Sequence, residues 1–254
     1  MSRKTLVILF VVTCLAQALV SGLFFWSASQ RGVGVTDMTG DDAAYRKYAL
    51  NLIEYGTFSY SDHPPMYPDA VRTPAYTILI AAAYRVMGNW HAVLVLQALL
   101  CSFAPILLYL SVRRFHEKAA LIAAYFFALD PTRLYWSTTL MTDGLTLLTT
   151  LGAVCLFTRW MDRKRAILLA GSGGLIGLSI LIRPINILLW VPLALVVLVV
   201  SGWKSWRVWV PRVALFVLCV GVVVSPWSIR NRIQLGTWQL SVIGTYSFAY
   251  ANAV

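Results

Sequence analysis

The stretch TGDDAAYRKYALNLIEYGTFSYSDHPPMYPDAVRTPAY, residues 39–76, decides how this sequence is interpreted. It is a polar segment in a chain that is otherwise strongly apolar. It holds five of the ten acidic residues of the protein, and a sixth, Asp37, lies just before it. The search for a function therefore begins in this segment, and the apolar sequence around it defines its surroundings.

The composition is that of a membrane protein. Of the 254 residues, 59% are hydrophobic and only 12% are charged, and the mean hydropathy is +0.72. These values exclude an ordinary soluble domain. The net charge of +11 comes from basic residues that lie between apolar runs, so it indicates membrane topology rather than nucleic-acid binding.

The apolar runs predict an all-α integral membrane protein, a single membrane-embedded module over residues 1–254. The first run is too long for a signal-peptide core, so we interpret it as a retained anchor. The run 74–88 has only 15 residues and begins with Pro74, which favours a juxtamembrane or re-entrant helix. The predicted spans are 5–26, 90–112, 119–137, 138–158, 166–183, 185–202 and 209–227.

The basic residues predict the orientation of these spans. With the N-terminus in the cytoplasm, the cytoplasmic segments SRK, RRFHEK, RWMDRKR and WKSWRVWVPR carry twelve of the 21 Lys and Arg residues. This agrees with the excess of positive charge found in cytoplasmic loops. The first loop, residues 27–89, is then a large extracytoplasmic loop that carries most of the carboxylates.

Within this loop, residues 41–55 predict an amphipathic helix that lies on the membrane surface and stops at Gly56. Asp41 and Asp42 stand at its start, where a capping role is as reasonable as a chemical one. The prolines that follow predict a folded cap over a cavity. The predicted apolar face is formed by Ala44, Tyr48, Leu52 and Tyr55.

Other polar residues lie near the predicted outer ends of the spans. Asp143, Arg183 and Arg230 are each a candidate functional residue or an interfacial anchor. His63 is a candidate ligand or base, although a surface role is commoner for a lone histidine. Two glycines in GSGGLIGLS, residues 171–179, are spaced for close helix packing.

These residues lie in motifs that together resemble the GT-C superfamily of integral-membrane glycosyltransferases. The closest relatives would be the protein O-mannosyltransferase and lipid A aminoarabinose transferase group. The resemblance extends over nearly the whole chain, and it depends on the order of the motifs more than on any one of them. The motifs are GDDAAYRKYALNLIEYGTFS, RTPAYTILIAAAYRVMG, MTDGL, LIRP and PWSIRN.

The resemblance implies a module of about seven transmembrane helices with juxtamembrane helices in a large first extracytoplasmic loop. It implies a polyprenyl-phosphate-linked sugar as donor. With attack on the face opposite the phosphate, an inverting transfer is expected; membrane lipid is an expected partner, and the placement of the charges argues against nucleic acid. A bacterial inner membrane is the expected location. Family members usually continue with more spans, so this chain is expected to be a fragment, a short member or a truncated product.

The resemblance also implies roles for individual residues. The family's D-x-x-x-Y spacing falls on Asp41 and Tyr45, which makes Asp41 the expected catalytic base, with Asp42 as the alternative. Asp143 matches a second acidic position. Whether Asp42 and Asp143 orient the acceptor or hold a divalent metal stays open. The expected substrate-binding residues are Tyr45, His63, Arg72, Tyr76, Arg183 and Arg230, the two last being placed near the donor phosphate.

Two other functions stay open at this stage. A transporter or flippase for a lipid-linked sugar would need a polar path through the membrane, and the span interiors are almost free of charge. A non-catalytic membrane subunit that binds a lipid is compatible with the short chain. The sequence specifies neither the donor sugar nor the acceptor.

Overall fold

The structure, a computed structural model, describes residues 3–31 and 40–243, so Asp37 lies outside the described residues. Throughout the described part the secondary structure is helical and contains no strand, which confirms the predicted all-α class. A 3₁₀-helix, Pro184–Leu188, joins two of the α-helices. The α-helices are α1 Arg3–Gln30, α2 Asp41–Tyr55, α3 Pro74–Met87, α4 Trp90–Cys101, α5 Ala104–Val112, α6 Glu117–Ala128, α7 Pro131–Trp136, α8 Asp143–Arg163, α9 Ala166–Ile182, α10 Trp190–Ser201 and α11 Trp206–Leu235.

Several of these helices are long and apolar enough to cross a membrane, as a multi-pass membrane protein requires. They correspond to five of the predicted spans, and α9, with 17 residues, is a shorter apolar helix at the position of a sixth. The five candidates in the described part are Lys4–Gln30, Trp90–Val112, Asp143–Arg163, Pro184–Ser201 and Trp206–Leu235.

The predicted third and fourth spans have the wrong boundaries. The region 119–137 is not one helix, because α6 ends at Ala128 and a separate helix, α7, begins at Pro131. A proline cannot continue the hydrogen bonding of the preceding helix. Arg133 satisfies the carbonyl groups that this break leaves free, with bonds of 2.9 Å to the oxygens of Phe127 and Ala128. The fourth span starts at Asp143 rather than at residue 138, because residues 137–142 form the turn.

The helix α3 occupies the run that we predicted not to span. It has 14 residues, starts with Pro74 in its first turn and ends at Gly88, whose φ of 65° is left-handed. It packs against α2, α4 and α9, with Tyr76 and Ile80 fully buried. Its length is well below the roughly 20 residues of a spanning helix, so its position beside the membrane stays a prediction.

The core of the bundle is formed by α8, α9 and α11. The predicted close packing of glycines is confirmed where α9 crosses α11. A Cβ atom on Gly173 would lie 2.5 Å from the carbonyl oxygen of Phe216, and one on Gly177 would lie 2.9 Å from that of Val220. Only glycine allows such an approach. This contact fixes α9, and therefore the residues that follow its C-terminus, relative to the rest of the bundle.

Candidate active site

The amphipathic helix of the first loop exists at the predicted residues, but the face that it buries matches the predicted one only in part. Tyr48 of the predicted face is 1% exposed. Tyr55, expected on the apolar face, is 43% exposed, and Ala44 and Leu52 are only half-buried. Because α2 packs against α3, the face toward that helix is the one removed from solvent. Gly56 ends the helix with a left-handed φ of 66°, as predicted. The buried residues are Asp42, Tyr45, Tyr48, Ala49 and Asn51.

Two helices begin with a carboxylate at the same end of the bundle. Asp41 is the first residue of α2 and Asp143 is the first residue of α8, where each carboxylate interacts favourably with the positive end of the helix dipole. Each is ion-paired with an arginine from another segment, Asp41 with Arg72 and Asp143 with Arg183. Each of these carboxylates therefore has a charged partner in addition to the helix dipole.

The position of Arg183 follows from the residue after it. Pro184 disfavours the helical conformation at the preceding residue, and Arg183 accordingly has extended dihedral angles, φ −144° and ψ 112°, and ends α9. Thr73 donates a hydrogen bond of 3.1 Å to the carbonyl oxygen of Ile182. The first loop is thus attached directly to the end of α9, beside Arg183.

Both ion pairs line one cavity of about 240 Å³, which we call the site cavity. The side chains of Asp41 and Arg183 are nearly half exposed, at 48% and 43%, while that of Arg72 is 16% exposed. The charged groups are therefore accessible from the cavity instead of being sealed in the core. The other lining residues are Tyr45, Val71, Thr73, Met141, Thr142, Pro184, Ile185, Ser241 and Ile243.

Tyr45 forms part of the cavity wall. The guanidinium carbon of Arg72 lies 5.3 Å from the centroid of its ring, a cation–π contact. Burial raises the pKa of Tyr45, while the neighbouring Arg72 lowers it and Asp41 raises it; the hydroxyl is hydrogen-bonded to Thr142. Because the net pKa shift is upward, the hydroxyl is neutral at physiological pH and provides a hydrogen-bonding group rather than a charge.

Tyr76 lies behind the cavity wall and does not line the cavity. Its ring packs edge-on against Tyr45 at 4.8 Å between centroids, and its hydroxyl donates to Oε1 of Gln97 at 2.8 Å. Gln97 in turn donates to the carbonyl oxygen of Thr139 at 2.7 Å. This buried chain of hydrogen bonds fixes the turn that precedes Asp143.

Besides Tyr76, two more of the predicted site residues, Asp42 and His63, do not reach the cavity. Asp42 is buried behind the start of α2, where its Oδ1 accepts from the backbone N–H of Ala43 at 2.9 Å. His63 is exposed in the turn that contains Pro64 and Pro65. Neither lines the site cavity.

Arg230 lies in a separate group of residues, which we call the Asp69–Arg230 cluster. Its guanidinium donates to the backbone oxygens of Asp69 at 2.7 Å and Phe58 at 3.3 Å, and it lies over the ring of Trp227 at 4.6 Å. The Asp69 carboxylate accepts from the Tyr48 hydroxyl at 2.6 Å. It also accepts from the backbone N–H of Tyr60 at 2.9 Å and from that of Val71 at 3.1 Å.

The structure offers little support for a metal site. Among residues 3–31 and 40–243, no three His, Cys, Asp or Glu side chains come together in a way that could hold a metal ion. In the site cavity, each of the two carboxylates faces a guanidinium. The two guanidinium groups are the side chains of this cavity that suit an anion such as phosphate.

One protein-family model matches this chain. The family model described as dolichyl-phosphate-mannose-protein mannosyltransferase matches residues 62–229, which is more than half of the 254 residues. The chain belongs to this family. It is therefore a membrane glycosyltransferase of the GT-C superfamily by family membership, as the sequence motifs indicated. No curated protein and no solved structure matches the chain.

The match to the mannosyltransferase family covers only part of the site cavity. Arg72, Asp143 and Arg183 fall inside the matched residues, whereas Asp41 and Tyr45 precede them. The cavity nevertheless joins the two parts, because Asp41 is paired with Arg72. The proposed role of Asp41 therefore rests on its pairing with Arg72 and on the resemblance in sequence motifs, and not on the residues that the family model matches.

The sequence analysis missed three residues that organise the site. Thr142 and Ser241 line the cavity as small polar residues without a distinctive pattern. Gln97 could have been found, because a glutamine in the apolar run VLVLQALL is a polar group at membrane depth that needs partners. Its partners lie at Ser137 and Thr139, at 3.3 Å and 2.7 Å.

Proposed function

We propose that this protein transfers a sugar from a polyprenyl-phosphate-linked donor to an acceptor hydroxyl, with inversion at the anomeric carbon, and that the reaction occurs in the site cavity. The observation that carries the proposal is the convergence of two arginine–carboxylate pairs in one accessible cavity, Asp41 with Arg72 and Asp143 with Arg183. Membership of the mannosyltransferase family supports a lipid-linked sugar donor.

Arg183 is the residue best placed to bind the donor phosphate. Its guanidinium is 43% exposed and is held at the end of α9 by Asp143. A guanidinium forms paired hydrogen bonds with phosphate oxygens as readily as with carboxylate oxygens. The 3₁₀-helix that follows exposes Ile185 at 78% and Leu188 at 69%. These side chains give the polyprenyl tail an apolar surface that starts beside the phosphate site.

Asp41 is the proposed base. Arg72 orients its carboxylate toward the cavity, and the carboxylate takes the proton from the acceptor hydroxyl as the hydroxyl oxygen attacks the anomeric carbon. The bond from that carbon to the phosphate oxygen breaks, and its electron pair goes to the phosphate. Because the leaving phosphate is charged, stabilisation by Arg183 helps it more than a proton donor would.

The most direct test of the base compares Asp41→Asn with Asp42→Asn. We expect Asp41→Asn to lower turnover by about 10²–10⁴-fold, the usual contribution of a general base. Asp42→Asn should lower it much less, because Asp42 does not line the cavity. Turnover is measured as sugar release from polyprenyl-phosphate-mannose, with membrane extract as the source of acceptor.

The two outcomes that contradict this assignment differ. If Asp42→Asn abolishes turnover while Asp41→Asn does not, the base is one residue further along. If both variants turn over normally, the reaction does not use a carboxylate at the start of α2.

We further propose that the site cavity is extracytoplasmic and that the N-terminus is cytoplasmic. The support is the clustering of basic residues at the opposite ends of the spans, as in the segment DRKR at 162–165. Cysteines introduced as Ser61→Cys and Lys164→Cys, each in a background free of other cysteines, can be probed in intact cells with an impermeant maleimide. We expect labelling at position 61 only; labelling at position 164 alone would reverse the topology.

A further inference from the structure

A second cavity lies at the opposite end of α8. This helix starts at Asp143 in the site cavity and ends at Arg163, and 21 residues at about 1.5 Å each correspond to ~30 Å, the thickness of the hydrocarbon layer. At its far end, a cavity of about 360 Å³ opens between the C-terminus of α8 and the first turns of α9 and α11. We call it the basic cavity. Its lining residues include Trp160, Lys164, Leu169, Arg207, Arg212 and Leu215.

The basic cavity contains three cationic side chains and no carboxylate among its lining residues. In the described part of the chain, none of Lys164, Arg207 and Arg212 forms an ion pair with an acidic residue. Three positive charges thus line one space that no carboxylate lines, and the neighbouring carboxylate, Asp162, is engaged by Arg114 at 3.1 Å. This excess of positive charge indicates a site for an anion.

Two of the cations are held in place by contacts with the fold. Nη1 of Arg212 donates to Oγ of Ser201 at 3.0 Å. The ammonium of Lys164 lies 4.9 Å from the ring centroid of Trp160, which is itself buried. Loss of solvation, together with the neighbouring Arg212 and Arg114, lowers the pKa of Lys164, and Asp162 offsets this only in part. This direction is the one expected where like charges are crowded together.

The remainder of the cavity wall is apolar. Leu169 is fully buried, Val208 is 40% exposed, and Leu215 is half-buried. Trp203 and Trp206, exposed at 72% and 61%, lie just before this part of α11, at a depth where tryptophan prefers the membrane interface. A small soluble anion would make no favourable contact with this apolar wall. A lipid offers both a phosphate for the cations and acyl chains for the apolar side chains.

We propose that the basic cavity binds the phosphate of an anionic phospholipid in the leaflet opposite the site cavity, between the C-terminus of α8 and the first turns of α9 and α11. The site does not depend on the proposed transfer reaction, because none of its residues lines the site cavity. It would fix the junction of α8, α9 and α11, the three helices that form the core of the bundle.

The test measures lipid retention by native mass spectrometry of the whole protein in detergent, with phosphatidylglycerol or phosphatidylcholine added at equal concentration. The cavity variant is Lys164→Gln/Arg207→Gln/Arg212→Gln. The matched control is Arg163→Gln/Arg165→Gln/Lys204→Gln, which removes the same charge from exposed residues that do not line the cavity.

We expect the native protein to retain phosphatidylglycerol more tightly than phosphatidylcholine. The cavity variant should bind phosphatidylglycerol more weakly, by a factor on the order of ten or more, and the control variant should bind it almost as the native protein does. If the triple cavity variant does not fold, Arg207→Gln alone, at an exposed position, should weaken binding about fivefold.

Two results would overturn the proposal. An equal loss in the cavity and control variants would show that the lipid responds to diffuse charge and not to this cavity. Displacement of phosphatidylglycerol by millimolar inorganic phosphate, with equal retention of the phosphate itself, would show that the site takes a free anion rather than a lipid.

Discussion

The site cavity and the Asp69–Arg230 cluster contain the same kinds of residue but use them differently. In the site cavity, arginine faces carboxylate directly, and both groups are accessible. In the cluster, Arg230 donates to two backbone oxygens and to Oδ1 of Asn231. The Asp69 carboxylate accepts from a tyrosine hydroxyl and two backbone N–H groups. The first arrangement can exchange its partners for a substrate, and the second cannot do so without losing structure.

The cluster nevertheless supports the cavity. Asp69 accepts from the backbone N–H of Val71, a cavity-lining residue that is followed directly by Arg72. Ser241 donates to the carbonyl oxygen of Val71 at 2.7 Å. Charge and sequence motif therefore do not distinguish a substrate-binding arginine from a structural one, whereas the hydrogen-bond partners of its N–H groups do.

The largest effect that separates the two regions is expected for donor binding by the two arginines. Arg183→Ala should lower donor affinity and turnover by roughly 10²-fold, since one positioned charge donor is typically worth this much. Arg183→Lys should be almost as harmful, because lysine lacks the planar pair of donors that suits phosphate. The measurement is equilibrium binding of polyprenyl-phosphate-mannose, followed by turnover.

Arg230→Lys is the matched control for this comparison. Because Arg230 does not line the site cavity, the substitution should leave donor affinity nearly unchanged and reduce thermal stability instead. Unchanged donor affinity in Arg183→Ala would remove that residue from the site, and a large loss in Arg230→Lys at full stability would return Arg230 to it.

A smaller effect is expected on the free energy of unfolding, and for this property the cluster, not the site cavity, should be the sensitive region. Asp69→Asn removes a carboxylate that accepts hydrogen bonds from Tyr48, Tyr60 and Val71, and the free energy of unfolding should fall by about 1–3 kcal/mol. Asp41→Asn should change it little, because the Asp41 side chain is 48% exposed and exposed ion pairs contribute little to stability. Thermal unfolding of both variants in nanodiscs gives the comparison.

Turnover by the same two variants is the control for the stability comparison. Below its unfolding temperature, Asp69→Asn should keep most of its activity, whereas Asp41→Asn should be folded and inactive. A stable Asp69→Asn protein without activity would mean that the cluster belongs to the catalytic machinery.

Local sequence rules predicted the parts of the fold that have local causes. Gly56 stops α2, Pro184 ends α9 at Arg183, and the glycine spacing of Gly173 and Gly177 marks the contact between α9 and α11. Each of these depends on steric limits within a few residues. The break between α6 and α7 was missed although Pro131 signals it, because the apolar composition around it dominated the interpretation.

The predictions for the site were less complete because its geometry is not local. The sequence identified Asp41, Arg72, Asp143 and Arg183 as candidates, but the pairing of each carboxylate with its arginine joins residues 31 and 40 positions apart. The buried face of α2 was predicted only in part, correctly for Tyr48 and wrongly for Tyr55, because packing against α3 determines it. Arg230 has the same sequence signal as Arg183, a basic residue near a span end, and only its backbone partners show the difference.

The most direct test of the central claim, that the lipid-linked sugar binds in the site cavity, is donor protection of an introduced thiol. Ile185→Cys places it in the cavity at a position that is 78% exposed, and Tyr60→Cys places it at the Asp69–Arg230 cluster, at a position that is 47% exposed. Each is made in an active protein that lacks its four natural cysteines and is labelled with maleimide, with and without saturating polyprenyl-phosphate-mannose. We predict that the donor slows labelling of the Ile185→Cys variant by a factor on the order of ten, as near-full occupancy of a site requires, and leaves the Tyr60→Cys variant unaffected. Equal labelling rates of the Ile185→Cys variant with and without bound donor would contradict the claim.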